Sequence, residues 1–581
     1  MKAKVPVLIK DPSVSEWKEV PLSEQFTVED EDFFLDGPVT RRVAVVDFDP
    51  RSGAVSPGAK FIAPSKPDGV GKYDVVADDL GNPAFVQAAV FGGVRKTMAM
   101  FEEPDTLGRK VSWGFRGSQL LVVPRAGEWA NAFYERDSRS LQFFFFTPES
   151  GGEVIYLSHS QDIIAHETAH AVIDGVVPDI YDAASPQALA IHEALADIAT
   201  VLMAFRSRKL AARVLEQTGG SIARSNVFTG VGEQVAEGLG RSGHFLRNLN
   251  NKSSLKDPKL KRTEPHALSE VLSGALYGVM LGIYEEVRTK PKEQVVQESK
   301  VAVRQEYEQW QRSNDPAAER LRSGAGDGEV AAGRALFIAG ERFKRTVLRG
   351  LDYLPPGELS FADFGRAVHA SDEASHPESD RQRQRLVDEF VKRGIVGAKK
   401  ELDVETNFEH EALQGVSIDE LCRSDWAAYR FADKWRRLLG IPPKIPFEVR
   451  PRLDVTKTYY HRDAHGEPLR ELIFKVAWTV TEPCKTGGGL PRKRRLTRGT
   501  TLAVDWNTLR IRALLHGGLD SQADARDGFL AYLADREELA IGEAALGPDG
   551  RPLRHVVRGD VAEGALRLRA TAHALHALGE R

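Results

Sequence analysis

The sequence predicts an α+β fold laid out in three stretches: a β-rich beginning, a helical middle and a mixed α/β end. Three observations carry this expectation. Short alternating apolar segments separated by Pro, Gly and Asp turns fill the first part. Long apolar segments at helical spacing, with start and stop residues at their ends, fill the middle. Beyond about residue 399 strand-like and helix-like patterns mix again. A chain of 581 residues exceeds one ordinary core. The expected division is 1–82 as a β-rich extension, 83–398 as the main region with a charged insertion over 290–328, and 399–581 as a mixed α/β domain.

In the first stretch "RRVAVVDFD" (Arg41 to Asp49) and "KFIAP" (Lys60 to Pro64) alternate as strands do. Pro83 opens a probable helix that runs to Glu103, since a proline suits a first helical turn. "QLLVVP" reads as a strand, and "WANAFYERDSRSLQFFFFTP" as a hairpin with a polar turn around Asp137. Then the character becomes helical. "SQDIIAHETAHAVIDG" has Ser160 as N-cap and Gly175 as a stop, and "SPQALAIHEALADIATVLMAF" starts on Ser185 and Pro186. A third apolar helix spans Ala267 to Val287. Further on, "RELIFKVAWTV" (Arg470 to Val480) is the clearest strand of the last region.

Composition excludes several classes. Hydrophobic residues make up 42% and charged residues 28%, and the net charge of -4 gives no global attraction to nucleic acid or anionic membrane. The N-terminus lacks a sustained apolar signal run, and no window approaches the roughly 18 apolar residues of a membrane span. Two cysteines imply no disulfide framework, so a cytoplasmic protein with no membrane partner is expected. The one dense basic run, "GGGLPRKRRLTR" (Gly487 to Arg498), reads as a solvated hairpin loop rather than a nucleic-acid site.

The chemistry sits in the middle. "AHETAH" is a His-Glu-x-x-His sequence; with 15 histidines, a chance match has a probability on the order of a few per cent, so context decides. On a helix His166 and His170 lie one turn apart on one face, where both imidazoles reach one metal ion. Glu167 beside them is placed to take a proton from water at the metal. A catalytic site needs a third protein ligand. Glu193 on the next helix supplies it, and Asp197, one turn on, can accept a hydrogen bond from the far nitrogen of a ligand histidine. Both carboxylates stand among apolar neighbours, where unpaired charge would be costly.

With these residues in view, the chain resembles the thermolysin-like zinc metallopeptidases, a gluzincin family, over roughly Pro83 to Gly397. "DIIAHETAHAVIDG" looks like that family's zinc helix, and "HEALAD" is similar to its second segment, usually Asn-Glu-Ala-x-x-Asp. The resemblance implies a two-lobed fold, with a β-rich and a helical lobe and one catalytic zinc between them. By the same resemblance Tyr181 and His266 would hydrogen-bond the oxyanion, and Asn131 and Ala132 in "NAFYERD" would pair with the substrate backbone. "FLRNLNN" suggests Arg247 as a substrate-binding arginine, and Ile163 and Leu246 would line the pocket beyond the cleavage point.

The chain also departs from the family. His192 replaces the asparagine that supports the second histidine, and an imidazole can make that bond. Lys261 stands where the family has an acid before its catalytic histidine, and Glu264 is the nearest carboxylate. Asp162 keeps one calcium-ligand position but Ala204 occupies another, so a paired calcium site is not expected. The expected function is zinc-dependent endopeptidase action on a peptide or protein substrate. The alternative is a zinc-stabilised binding module without turnover; a third reading, nucleic-acid association through Arg492 to Arg498, rests on the basic run alone.

Overall fold

Strand β1 (Lys2–Leu8) buries Ala3, Val5 and Val7, every second residue, as one face of a pleated strand does. It pairs antiparallel with β2 (Ser23–Val28). With β3 (Val43–Val45), β4 (Phe61–Ile62) and β5 (Val70–Tyr73), the β-rich beginning is present. The first sheet has the order β2-β1-β5-β4. A computed structural model describes the chain except for residues 13–19, 30, 225, 233–235, 237, 240–244, 291–331, 377–379, 459–467, 486–489, 519–521, 548–549, 551–552, 554–555 and 579–581. Apart from residue 290, the expected charged insertion over 290–328 lies outside the described residues.

Helix α1 (Pro83–Glu102) starts where expected, with Asn82 accepting from the Ala84 amide. Gly92 lets β1 approach it closely: a Cβ there would meet the Pro6 carbonyl at 2.1 Å. A second sheet of order β3-β6-β8-β7 adds β6 (Leu120–Val123), β7 (Ala132–Glu135) and β8 (Ser140–Phe143). The expected hairpin is β7–β8, antiparallel from Ala132 opposite Phe143 to Glu135 opposite Ser140. Strand β7 is the edge of this sheet, facing the helices that follow. The short pair β9 (Phe145–Phe146) and β10 (Ile155–Tyr156) leads into them.

Helix α2 (Gln161–Val176) is capped by Ser160, whose hydroxyl accepts from the Ile163 amide. Gly175 does not stop it. The helix runs one residue further, and a Cβ at Gly175 would meet the Ser112 carbonyl at 2.0 Å, so close packing is what requires glycine there. Helix α3 (Pro186–Phe205) is buried on nearly all sides. After α4 (Arg208–Gln217) and the small pair β11 (Gly230–Val231) and β12 (Arg247–Asn248), α5 (Pro265–Thr289) packs along α3. Among the described residues α3 and α5 are each long and apolar enough to cross a membrane, which the sequence reading did not foresee; the apolar windows are 100% and 72% buried against other helices. Helices α6 (Ala332–Tyr353), α7 (Phe361–Ser375) and α8 (Arg381–Lys392) complete the helical middle.

The last region is built on a nine-stranded sheet. Its strands are β13 (Thr406–Phe408), β14 (Phe447–Val449), β15 (Leu453–Thr458), β16 (Pro468–Pro483), β17 (Lys493–Asp505), β18 (Ile511–His516), β19 (Leu539–Ile541), β20 (Val557–Ala562) and β21 (Ala565–Arg569). Helices α9 (Ile418–Arg423), α10 (Asp425–Lys434) and α11 (Ala523–Asp535) pack beside it, and α12 (Thr571–Leu578) follows β21. The basic run is not a solvated loop over its described length: from Lys493 it is β17, paired along β16, and Arg494 is buried between Glu482 (2.5 Å) and Asp527 (2.7 Å). The Gly-rich start of the run, 487–489, lies outside the described residues. One apolar core runs from Ala3 to Ala574, and a second is confined to Ala412 through Ile511.

A buried ion triad joins the helical middle to this sheet. Asp352 on α6, fully buried, is bound by Arg109 (2.7 and 2.9 Å) and Lys457 (2.8 Å). Burial works against its charge, but the two cations outweigh it and hold the carboxyl well below the usual range. Since folding depresses this pKa, the stabilisation is full above the unfolded value of about 3.9 and is lost as pH falls below it. Asp352→Asn should therefore cost about 3–5 kcal/mol in urea unfolding at pH 7. The gap to wild type should narrow as pH drops below about 4; a gap unchanged with pH would contradict the assignment.

Candidate metal centre

Helices α2 and α3 bring the expected ligands together. His166 and His170 point the same way, with their Nε2 atoms 3.0 Å apart. Glu193 from α3 sets Oε2 at 3.5 Å from His166 Nε2 and Oε1 at 3.7 Å from His170 Nε2. A tetrahedral ion with bonds of about 2.0–2.1 Å needs ligand atoms roughly 3.3 Å apart, and these separations bracket that value. Glu193 Oε2 is buried with no hydrogen-bond partner among the described residues, an acceptor that a metal ion would satisfy. The described residues fit a metal ion, in two groups that share His576: His166, Glu167, His170 and His576, and Glu193, His266 and His576.

The far sides of both histidines are held as ligands require. His166 Nδ1 lies 3.2 Å from Asp197 Oδ1. Asp197 is in turn gripped by Arg247 from β12, whose Nε is 2.9 and 3.0 Å from its two oxygens. Burial disfavours the Asp197 charge, but Arg247 and the His166 bond keep its pKa below the usual carboxylate range. His170 Nδ1 lies 2.6 Å from His192 Nδ1, with the rings stacked at 4.5 Å. Burial pushes His192 down to about 3 and His170 well below its ordinary value, so both rings are neutral. A His170 Nδ1–H donating to His192 leaves the His170 Nε2 lone pair for a metal. Glu193 stays ionised: burial opposes its charge, but His266, foremost among the imidazoles around it, holds its pKa well below normal.

Glu167 lies beside the ligands with a different partner. Its Oε2 accepts from the Tyr134 amide of β7 at 3.0 Å, and burial raises its pKa. His266, at the start of α5, sets Nε2 3.6 Å from Glu193 Oε2. Its Nδ1 lies 3.0 Å from Glu264 Oε1, and Glu264 also caps α5 by accepting from the His266 and Ala267 amides. The acid absent at Lys261 is thus supplied at Glu264. The signal for it was present in "TEPH", an acidic N-cap followed by proline at the first helical position.

The remaining expected residues fall differently. Tyr181 is buried beside His192, with ring centroids 6.0 Å apart; its hydroxyl accepts from the Arg136 amide at 3.3 Å, and the Arg136 guanidinium covers its ring at 4.2 Å. Arg247 serves Asp197 as described. Ile163 and Leu246 meet over Gly232, where a Cβ would come within 2.8 Å of Leu246 and 3.5 Å of Ile163. Asp162 is paired with a buried lysine, Lys10, from the N-terminal extension. Asn131 and Ala132 lie at the site on β7, and both are engaged by a residue the sequence reading did not single out. His576 of α12 donates from Nδ1 to the Ala132 carbonyl (3.0 Å) and accepts on its own carbonyl from Asn131 Nδ2 (2.7 Å). Its Nε2 is 3.7 Å from Glu193 Oε2. The only local mark is His573, three residues earlier on the same helix, and that pairing alone does not point to this site.

Another acidic group that could hold an ion, Glu103, Asp105 and Glu341, is already neutralised by Lys344, Arg206 and Arg345. No protein-family model matches this chain, and no curated protein matches it in sequence.

Two substitutions separate a ligand from its support. His166→Ala should abolish stoichiometric metal in the purified protein, measured by elemental analysis. Asp197→Asn should leave the ion bindable but weaken its affinity about 10–100-fold in chelator competition. Metal binding untouched by both would remove the centre.

Proposed function

We propose that the chain is a zinc-dependent metalloendopeptidase of the thermolysin-like kind, with the β-rich lobe carrying β7 and the helical lobe carrying α2, α3 and α5 on either side of one metal. The observation that carries this reading is Glu167: a buried carboxylate next to a two-histidine, one-carboxylate set, tethered by one oxygen to the Tyr134 amide. A purely structural ion needs no such group.

The chemistry a zinc ion supplies at such a set is Lewis acidity, which polarises a carbonyl and acidifies water. Glu167 acts as general base through Oε1, the oxygen not tied to Tyr134, and then returns the proton to the leaving amine. His266 faces the site and donates to the oxyanion. Tyr181 is the second candidate donor, once its hydroxyl turns from Arg136. Asn131 and Ala132, at the start of edge strand β7, receive the substrate as an added strand once His576 has left them. Arg247 and Asp197 orient His166. Ile163 and Leu246 form an apolar wall, favouring cleavage before an apolar residue.

The other reading, a zinc-stabilised module without turnover, is favoured by one observation: His576 stands in the site.

Glu167→Gln should lower hydrolysis of an unfolded protein substrate by about 10²–10⁴-fold while zinc content stays at wild-type level. His266→Ala should cost about 10²–10³-fold. Equal, measurable rates in wild type and Glu167→Gln would exclude the mechanism. Cleavage-site profiling on a peptide library should return apolar residues after the cut; a preference for charged residues there would refute the pocket.

A further inference from the structure

We propose that helix α12 is a built-in, displaceable plug, and that His576 is a fourth protein ligand which closes the metal centre until the helix withdraws. The inference rests on the metal-centre reading above and adds a state of that site in which no substrate can enter.

The His576 ring lies among three site imidazoles, with centroids 5.6 Å from His166, 5.0 Å from His170 and 5.8 Å from His266. Its Nε2 faces Glu193 Oε2 at 3.7 Å, a separation in the range of the other ligand pairs. The ring orientation is also that of a ligand. Nδ1–H donates to the Ala132 carbonyl, which turns Nε2 inward, and that atom is buried without a hydrogen-bond partner among the described residues. Ligating histidines characteristically give their other N–H to a backbone carbonyl in this way.

The helix also takes up the groups that would hold a substrate. Asn131 Nδ2 and the Ala132 carbonyl are both spent on His576. A helix makes a poor substrate, because its carbonyls and amides are bonded internally and present no extended strand to the β7 edge. Held there, α12 blocks the cleft without being positioned for cleavage.

The anchoring is local and therefore reversible. The Ala570 amide donates to Asp182 (2.6 Å), the Ala572 amide donates to the Tyr181 carbonyl (3.1 Å), and His573 packs edge-on to Phe133 at 4.9 Å. Eight residues form a helix too short to be stable by itself. A closed state populated at 90–99% lowers apparent affinity for any cleft ligand by about 10–100-fold.

The test uses full-length wild type, His576→Ala and His576→Gln, each loaded with cobalt(II) in place of zinc, and titrates in acetohydroxamate while following the visible absorption. The glutamine variant keeps a polar side chain of similar size, guarding against a folding defect in the alanine one. Both variants should bind the hydroxamate about 10–100-fold more tightly than wild type, and the metal-bound spectrum before titration should differ from wild type. Equal hydroxamate affinity in all three proteins would overturn the plug. Peptide hydrolysis is read in parallel on the zinc forms. A rise in hydrolysis alongside tighter hydroxamate binding supports both readings. Tighter hydroxamate binding with no hydrolysis in any protein keeps the plug and removes the peptidase. Hydrolysis equal in all three, with equal hydroxamate affinity, keeps the peptidase and removes the plug.

Discussion

The structure turns on two carboxylates in a helix that has almost no solvent-facing side. Glu193 and Asp197 lie on α3 among Ala190, Ile191, Ala194 and Leu195, all buried. A buried charge costs several kcal/mol unless it is matched. Here the matching groups come from everywhere else: His166 and His170 from α2, Arg247 from β12, His266 from α5 and His576 from α12. Elements far apart in the chain converge on one pair of negative charges, and that convergence organises the middle of the molecule.

Histidine protonation follows from the same constraint. Burial and a neighbouring imidazole keep His170 and His192 neutral, whereas the carboxylates beside His166 raise its pKa. A neutral ring with one nitrogen occupied by a neighbour offers its other nitrogen to a cation. Glu193, already ionised by its surroundings, offers oxygens to the same point. Burial and hydrogen bonds made outside this set thus leave it in a form that could hold a metal ion. The opposite edge of the site is made by β7, which serves Glu167 through the Tyr134 amide and, with Asn131 just before it, binds His576.

The His/Glu cluster that could hold a metal ion was the most legible part of the sequence because its spacing is helical. His166 and His170 one turn apart, and Glu193 and Asp197 one turn apart, can be read from periodicity without tertiary knowledge. The hairpin of β7 and β8 and the start of α1 were legible for the same local reason. What was missed depends on chain folding over long range. Glu264 replaces an acid expected at Lys261 because a capping residue can reach the ring that follows it. His576 arrives only after the nine-stranded sheet returns the chain to the cleft, and nothing local marks that path. Gly175 was misread because a glycine needed for contact with Ser112 looks the same in sequence as one that ends a helix. The basic run misled likewise: Arg494 is neutralised by Glu482 and Asp527, partners outside the run itself.

The central claim is that His166, His170 and Glu193 jointly bind one zinc ion. X-ray absorption at the zinc edge on the full-length protein tests it most directly. The account predicts a four-coordinate shell of nitrogen and oxygen atoms at about 2.0–2.1 Å, with the outer-atom scattering of at least two imidazoles. A shell containing sulfur at about 2.3 Å, or no bound zinc at all, would contradict it.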